Sequence, residues 1–307
     1  MKNFLSLATA AMLLLPCPAA AQADDFTEVD INIDSMMLAY QRHTDSIESS
    51  LTFYADTVVE LGDGLASLAV PAGHRFLGAD DARTVLVDLW GNPPNSALGT
   101  FGMLFPDSIS VMDEECYGID IFFTEDGYVD DSDAADIDSA DLLDQMRADM
   151  VLENEERRDA GYETIELIGW AQDPTYDATN KRLHWAKELY FEGEESNTLN
   201  YNIRFLGRRG YLTMNVIGGI EDLPRVNENL DDILASVDYN EGHRYGDFNP
   251  GIDEVAGYGI AALVAGKVLA KTGLLASIGI FLLKGWKLIM IGLVAAGAGI
   301  KKMLGND

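Results

Sequence analysis

The stretch LNYNIRFLGRRGYLTMNVI, residues 199–217, decides the fold class. Leu199–Leu206 and Tyr211–Ile217 are rich in aromatic and branched residues, and Gly207-Arg208-Arg209-Gly210 separates them. Two such runs around a short glycine-bearing turn read as an antiparallel pair of strands. Upstream, Arg182–Phe191 places Leu183, Trp185, Leu189 and Phe191 on one face by the strand period of two, a face that Lys187 interrupts. Glu163–Trp170 reads as another strand, joined to it by the loop AQDPTYDATNK. Downstream, Glu221–Val237 has the spacing of an amphipathic helix.

Farther out, Thr57–Leu61 and Leu65–Val70 flank Gly62-Asp63-Gly64 as a β-hairpin, and Pro71 and Gly73 stop it. Asp80 or Asp81 caps a helix that runs through Trp90 and ends at GNPPN. Leu98–Pro106 is apolar and punctuated by glycine, and Gly118–Thr124 reads as a strand. The acidic segment DGYVDDSDAADIDSADLLDQM invites a calcium site. However, no register gives the EF-hand order of acids, glycine and closing glutamate. Asp138 and Asp141 fit a capping-box-like helix start instead, with the helix running to about Asn154. Strands with helices set among and after them define an α+β domain on a largely antiparallel sheet with flanking helices.

The ends of the chain speak of location. Met1–Asn3 is a short positive start, Phe4–Leu15 an apolar run, and small residues at Ala19, Ala21 and Ala23 offer cleavage sites, so residues 1–23 read as a signal peptide. With Cys17 in that leader, Cys116 stands alone and no internal disulfide is expected. Residues 24–51 form an acidic lead-in, with a loose helical pattern at Met36, Met37, Leu38 and Tyr40, and residues 52–250 the exported body. Of 51 Asp+Glu, 48 precede Ile252, against 15 of 21 Lys+Arg. An acidic body of this kind repels phosphate backbones, which excludes nucleic acid as a partner.

Residues 251–307 are apolar and glycine-rich, with six lysines. Every 19-residue window within 255–300 holds at least two of Lys267, Lys271, Lys284 and Lys287, and a central lysine costs about 2.5–3.5 kcal/mol on insertion. Gly259, Gly266 and Gly273 are seven apart, as are Gly285, Gly292 and Gly299, and such rows let helices approach closely. The tail therefore reads as a transmembrane helical segment, either a hairpin (Val255–Leu283 and Trp286–Met303) or one span near Thr272–Ile300. Membrane lipid and a second copy or another membrane protein are its expected partners, and the bacterial inner membrane, with the body on the periplasmic side, its expected place.

LWGNPP, DGYVDDSDA, GWAQDPTYD, LHWA, LNYNIRFLGRRG and YGDFNPGIDEVAGYGIAALVAGKVLAKTG occur in this order between Leu61 and Ile300. Through them the chain resembles the DUF2167 family (domain of unknown function) of bacterial, membrane-anchored proteins. The resemblance implies an exported domain with a C-terminal membrane segment and brings no catalytic residue. More distantly, strands closing on an amphipathic helix resemble the sandwich of the photosystem oxygen-evolving P subunit, an analogy of fold alone.

His43, His74, His184 and His243 show no metal-ligand spacing, and nothing in the sequence asks for a metal or cofactor. The best ligand cluster is Trp170, Asp173, Tyr176, Asp177 and Trp185, aromatic faces rimmed by carboxylates that suit a cation or sugar ring. Against it stands a structural account in which both tryptophans are core, Pro174 and Tyr176 lock a turn, and Asp177 satisfies backbone amides. Arg204, Arg208 and Arg209 are expected to pair with local carboxylates. The leading function is a non-enzymatic envelope protein that binds a partner or small ligand. The alternatives are a cell-wall or carbohydrate hydrolase holding Asp173 or Asp177 with a second carboxylate, at least one at a raised pKa, and a small channel or transport accessory built on the tail lysines.

Overall fold

The computed structural model describes residues 33–266, apart from positions 93, 114 and 160. In chain order, α1 (Ile33–Glu48) leads to strands β1 (Phe53–Tyr54), β2 (Val58–Leu61), β3 (Ala66–Ala69) and β4 (His74–Gly78). Helix α2 (Ala79–Arg83) continues as a π-helical segment over Thr84–Leu89. Strands β5 (Thr100–Pro106), β6 (Gly118–Thr124) and β7 (Tyr128–Asp130) precede the long helix α3 (Ser139–Asp159). Next come β8 (Ile165–Asp177), β9 (Arg182–Phe191), β10 (Thr198–Leu206) and β11 (Tyr211–Gly219). The order closes with α4 (Leu223–Glu228), α5 (Leu230–Ala235), β12 (Val237–Tyr239), β13 (Val255–Gly259) and α6 (Ile260–Ala265).

The expected antiparallel sheet forms the centre. Eight strands lie in the order β1-β4-β5-β6-β11-β10-β9-β8, and the opening hairpin pairs Leu206 with Tyr211 at its turn. Alternation divides each strand between two faces. Tyr201, Ile203 and Phe205 of β10, Leu212, Met214 and Val216 of β11, and Ile119 and Ile121 of β6 enter one cluster with Leu61, Leu68, Val226 and Ile233. That face is covered by a second sheet, β12-β3-β2, and by α4 and α5. Each large apolar side chain buried there stabilises the fold by roughly 1.5–3 kcal/mol. The opposite face carries helices. Its β4–β5 end packs Leu77, Met103 and Phe105 under Val85, Leu86 and Leu89. Its β8–β9 end packs Ile165, Leu167, Leu189 and Phe191 under Met146 of α3, and Leu183, Trp185 and Tyr211 under Ile260, Leu263 and Val264 of α6.

Several elements differ from expectation. β4 was hidden because Phe76 and Leu77, neighbours on opposite faces, are both buried, which erases alternation. β8 runs to Asp177, so most of the expected loop is strand. Pro174 is tolerated because β8 is an edge strand, where a missing donor faces no neighbour. The helix expected over Glu221–Val237 breaks at Asn229 into α4 and α5, and Val237 begins β12 instead. Helix α1 docks through Glu48, whose carboxylate accepts from the Val111 amide (3.0 Å) and the Ser110 hydroxyl (2.6 Å).

The largest correction concerns the tail. Val255–Gly259 is a strand running parallel to β7 rather than the start of a membrane helix, and the folded body extends to Ala265, past the boundary expected at residue 250. Gly259 and Gly266 lie at the two ends of α6, not along a helix seam. Gly266 closes α6 in the left-handed conformation (φ +73°), and a Cβ on Gly259 would overlap the Asp133 carboxylate. Among the described residues no helix is long and apolar enough to cross a membrane. Gly273, Gly285, Gly292 and Gly299, and both arms of the expected tail beyond Gly266, lie outside the described residues, as does the leader.

Asp133 explains why α6 stays on the body. It accepts from the amides of Ile260 (2.9 Å) and Ala261 (3.3 Å), capping a helix whose own N-cap residue is glycine. Asp133→Ala should therefore cost about 1 kcal/mol. Faster hydrogen exchange at the Ile260 and Ala261 amides is the expected readout, and unchanged protection would remove Asp133 from this role.

Candidate functional site

Of the five residues chosen from sequence, Trp170, Tyr176 and Trp185 meet in one apolar cluster, and Asp173 and Asp177 do not join it. Trp170 donates its indole Nε1–H to the Ser139 carbonyl (2.8 Å) and fixes the start of α3. Tyr176 donates to Asp131 (2.6 Å). Asp173 and Asp177 are both exposed. Asp177 accepts from the side chain of Asn180 and from the amides of Asn180 and Thr179. These bonds hold its pKa below the usual carboxylate value, so Asp177 is not the carboxylate of raised pKa that the hydrolase needs. The structural account holds for Trp185, which is core, and for Asp177, which satisfies backbone amides. Trp170 is half-buried against the same core, and Tyr176 ties β8 to Asp131 rather than locking a turn.

The acidic segment from Asp126 to Asp141 is a clamp. Asp126 accepts from Tyr258 (2.6 Å), Asp133 caps α6, and Asp138 accepts from the amides of Ala140 and Asp141, as its capping pattern implied. Asp131 accepts from Lys181 (2.6 Å), Tyr176 and Tyr245. Burial opposes its charge, but the three donors outweigh burial and hold its pKa below normal. Asp126, Asp131 and Asp133 each tie two distant parts of the chain together. Among the described residues no three His, Cys, Asp or Glu converge to hold a metal.

Two of the four histidines, His74 and His184, are structural as well. His74 shares a hydrogen bond with the Tyr117 hydroxyl (2.8 Å) and His184 with that of Tyr201 (2.9 Å). Arg208 and Arg209 behave as expected, both meeting Asp253, at 2.7 and 3.6 Å. Arg204 does not. It makes no ion pair among the described residues.

Arg204 lies on the helical face of the central sheet, in a polar strip between the two helix-covered ends. The register sets out its neighbours. Lys187 on β9 pairs with Asn200, Trp185 with Asn202, and Arg204 with Thr213 on β11; Asn215 pairs with both Asn202 and Asp120. Trp185 (2%), Asn200 (2%), Asn202 (7%), Thr213 (0%) and Asp120 (9%) are shut off from solvent, while Lys187, Arg204 and Asn215 keep partial exposure. Arg204 Nη2 donates to Asn202 (3.3 Å), Asn202 to Asn200 (2.8 Å), and Asn200 to Asn215 (3.0 Å). The Arg204 guanidinium sits 5.3 Å from the Trp185 ring and 5.5 Å from the Tyr211 ring.

This strip is under-satisfied. Trp185 Nε1, Arg204 Nε and Nη1, and Thr213 Oγ1 are buried atoms without a hydrogen-bond partner. Burying a polar group unpaired costs about 1–3 kcal/mol, more for a charged one, so native folds keep few such groups. Burial, reinforced by the nearby Arg204 charge and opposed by Glu153, lowers the Lys187 pKa to about 8. At the far end Asp120 accepts from Thr100 (2.7 Å), yet burial dominates and raises its pKa to about 6. Groups with perturbed ionisation and unmet hydrogen bonds on one surface mark a recognition site.

Sequence reasoning saw one part of this, the interruption at Lys187. The fuller signal was the alternation Asn200-x-Asn202-x-Arg204 opposite Thr213-x-Asn215, with Asp120 on the next strand: polar residues at every second position on three neighbouring strands.

A cavity of about 400 Å³ opens on the other face, lined by Leu65, Phe101, Phe123, Glu125, Arg209 and His243 among others. Arg209 is already engaged with Asp253, and no buried unpartnered group faces it, so it is the lesser candidate.

A family model for a protein of unknown function, DUF2167, matches residues 54–297, and the chain belongs to that family. The curated proteins give no match. Among solved structures, the solution structure of cyanobacterial PsbP (CyanoP) from Synechocystis sp. PCC 6803 is similar at 11% identity, covering 62% of this chain and 93% of that one. Its TM-score of 0.33 is too low for the likeness to carry an argument.

Proposed function

We propose that this chain is an exported, membrane-anchored envelope protein whose folded domain binds a small ligand along the polar strip of its central sheet. One observation carries the binding role: four buried donor atoms, on Trp185, Arg204 and Thr213, share one patch of the sheet and lack acceptors. A ligand that supplies acceptors there recovers hydrogen bonds the fold leaves unmade, and the partial exposure of Lys187, Arg204 and Asn215 leaves a way in. The hydrolase alternative has no comparable support, since Asp173 and Asp177 are exposed and Asp177 is committed to its turn.

The export and anchoring roles rest on the leader at residues 1–23 and on the apolar, lysine-bearing residues beyond Gly266. Alkaline washing of membranes should leave the full chain in the pellet, and release into the wash would discard the anchor. A reporter fused after Asp307 separates the hairpin from the single span by the side on which it is found.

Binding is tested on the full chain with separate panels of neutral sugars, carboxylates, phosphates and polyamines, read by melting temperature. A ligand at one hundred times its Kd stabilises the native state by about 2.7 kcal/mol. At least one class should raise the melting point, and Thr213→Val should weaken the effect. No shift with any class would refute the binding role.

A further inference from the structure

We propose that the ligand of this strip is a doubly charged oxyanion, of which the phosphate of a phosphomonoester is the simplest biological form, held by Arg204 and Lys187. The inference rests on the binding function proposed above and adds the chemistry of what is bound.

Charge carries it. The chain has 51 acidic against 21 basic side chains, yet the buried Nε and Nη1 of Arg204 meet no acceptor. Arg208 and Arg209 share Asp253, Lys181 meets Asp131, Arg225 meets Asp222, and Arg147 meets Asp144. Arg204 and Lys187 lie on adjacent strands of one sheet face, on either side of the Trp185–Asn202 row, and neither has an ion pair among the described residues. The acid on the same face, Asp120, is turned to Thr100 and separated from Arg204 by β11. Glu153, which draws on Lys187 from α3, is exposed and makes no ion pair with it.

Ordered water would answer the unmet hydrogen bonds but not the charge. A buried cation without a counter-ion is costly, and an anion that pairs with it offsets that cost. A single carboxylate would leave one of the two charges over. A phosphomonoester carries about −1.5 to −2 near pH 7 and three acceptor oxygens, which suits two cations with free N–H groups on Arg204, an indole N–H on Trp185 and a hydroxyl on Thr213. Asn202 holds the guanidinium by Nη2, leaving Nε and Nη1 to the ligand.

The test is calorimetric titration of the full chain in detergent with inorganic phosphate and with glycerol phosphate, alongside succinate and glucose. Saturable binding of either phosphate, weakened at least tenfold in both Arg204→Met and Lys187→Met, supports the assignment. Thr213→Val, which keeps the shape of the site and both cations, should weaken binding by less. Vesicles containing phosphatidic acid that bind where glycerol phosphate fails would place the same phosphate chemistry on a lipid headgroup. Binding of succinate without phosphate would overturn the phosphomonoester, and binding of glucose alone would overturn the oxyanion; either would leave the ligand-binding function standing. No binding by any probe in a folded protein would overturn both, as would phosphate binding that both methionine variants retain.

Discussion

Replacing Gly210 by alanine should destabilise the domain by about 3 kcal/mol or more, a loss visible as a fall of roughly 6–12 °C in melting temperature. Gly210 closes the turn between β10 and β11, where the Gly207 amide donates to its carbonyl (2.8 Å). Its φ of +154° is a conformation that side chains disfavour. An added Cβ would also overlap the carbonyl oxygen of Thr124, at the end of β6. That oxygen is backbone and part of the adjoining strand, so relief requires β6 and β11 to part. Gly193 supplies the control: its φ is +93° with open space around it, so Gly193→Ala should cost only about 1 kcal/mol. If the two variants melt together, close packing at Gly210 is not what the turn depends on.

The same turn shows how far the sequence could be read. The pairing of β10 with β11 was legible because two alternating runs flank a short glycine turn, and that information is local. Pro174 misled because tolerance of proline depends on β8 being an edge strand, which only the assembled sheet reveals. VAGYG at residues 255–259 resembled membrane helix because its composition is apolar and glycine-rich. Its strand conformation depends on Tyr128, Asp126 and Asp133, the last of them 127 residues from the amide it caps. Arg204 was misjudged for a related reason. Acidity makes a carboxylate partner the safe expectation for any arginine here, and it held for Arg208 and Arg209. For Arg204 the sheet register supplies Thr213 and Leu183 instead, with Asn202 two residues back on the same face, and none carries charge.

Lys187→Met should stabilise the ligand-free protein at pH 7, by an amount approaching 3 kcal/mol for a shift of this size at about 1.4 kcal/mol per pKa unit. Burial and Arg204 lower the lysine from 10.5 to about 8. Between those values the unfolded chain holds a proton that the folded chain has released, so stability rises with pH across that window. It is complete above about 10.5 and lost as pH falls through 8. The wild-type protein therefore carries the cost of a buried cation at neutral pH, and methionine, of similar length, fills the space without it. Chemical denaturation at pH 7 and at pH 10 separates the outcomes. The advantage of the variant should shrink toward zero at the higher pH, and an advantage that is absent at pH 7 or unchanged at pH 10 would mean that Lys187 is solvated. A bound oxyanion reverses the sign. It holds the lysine protonated, so affinity should be greatest below about pH 8 and decline above it, and saturating phosphate should erase the variant's stability advantage. An ordinary core position gains from losing a buried charge under every condition. A binding residue gains only while its ligand is absent, and that dependence on ligand tells a site from a packing defect.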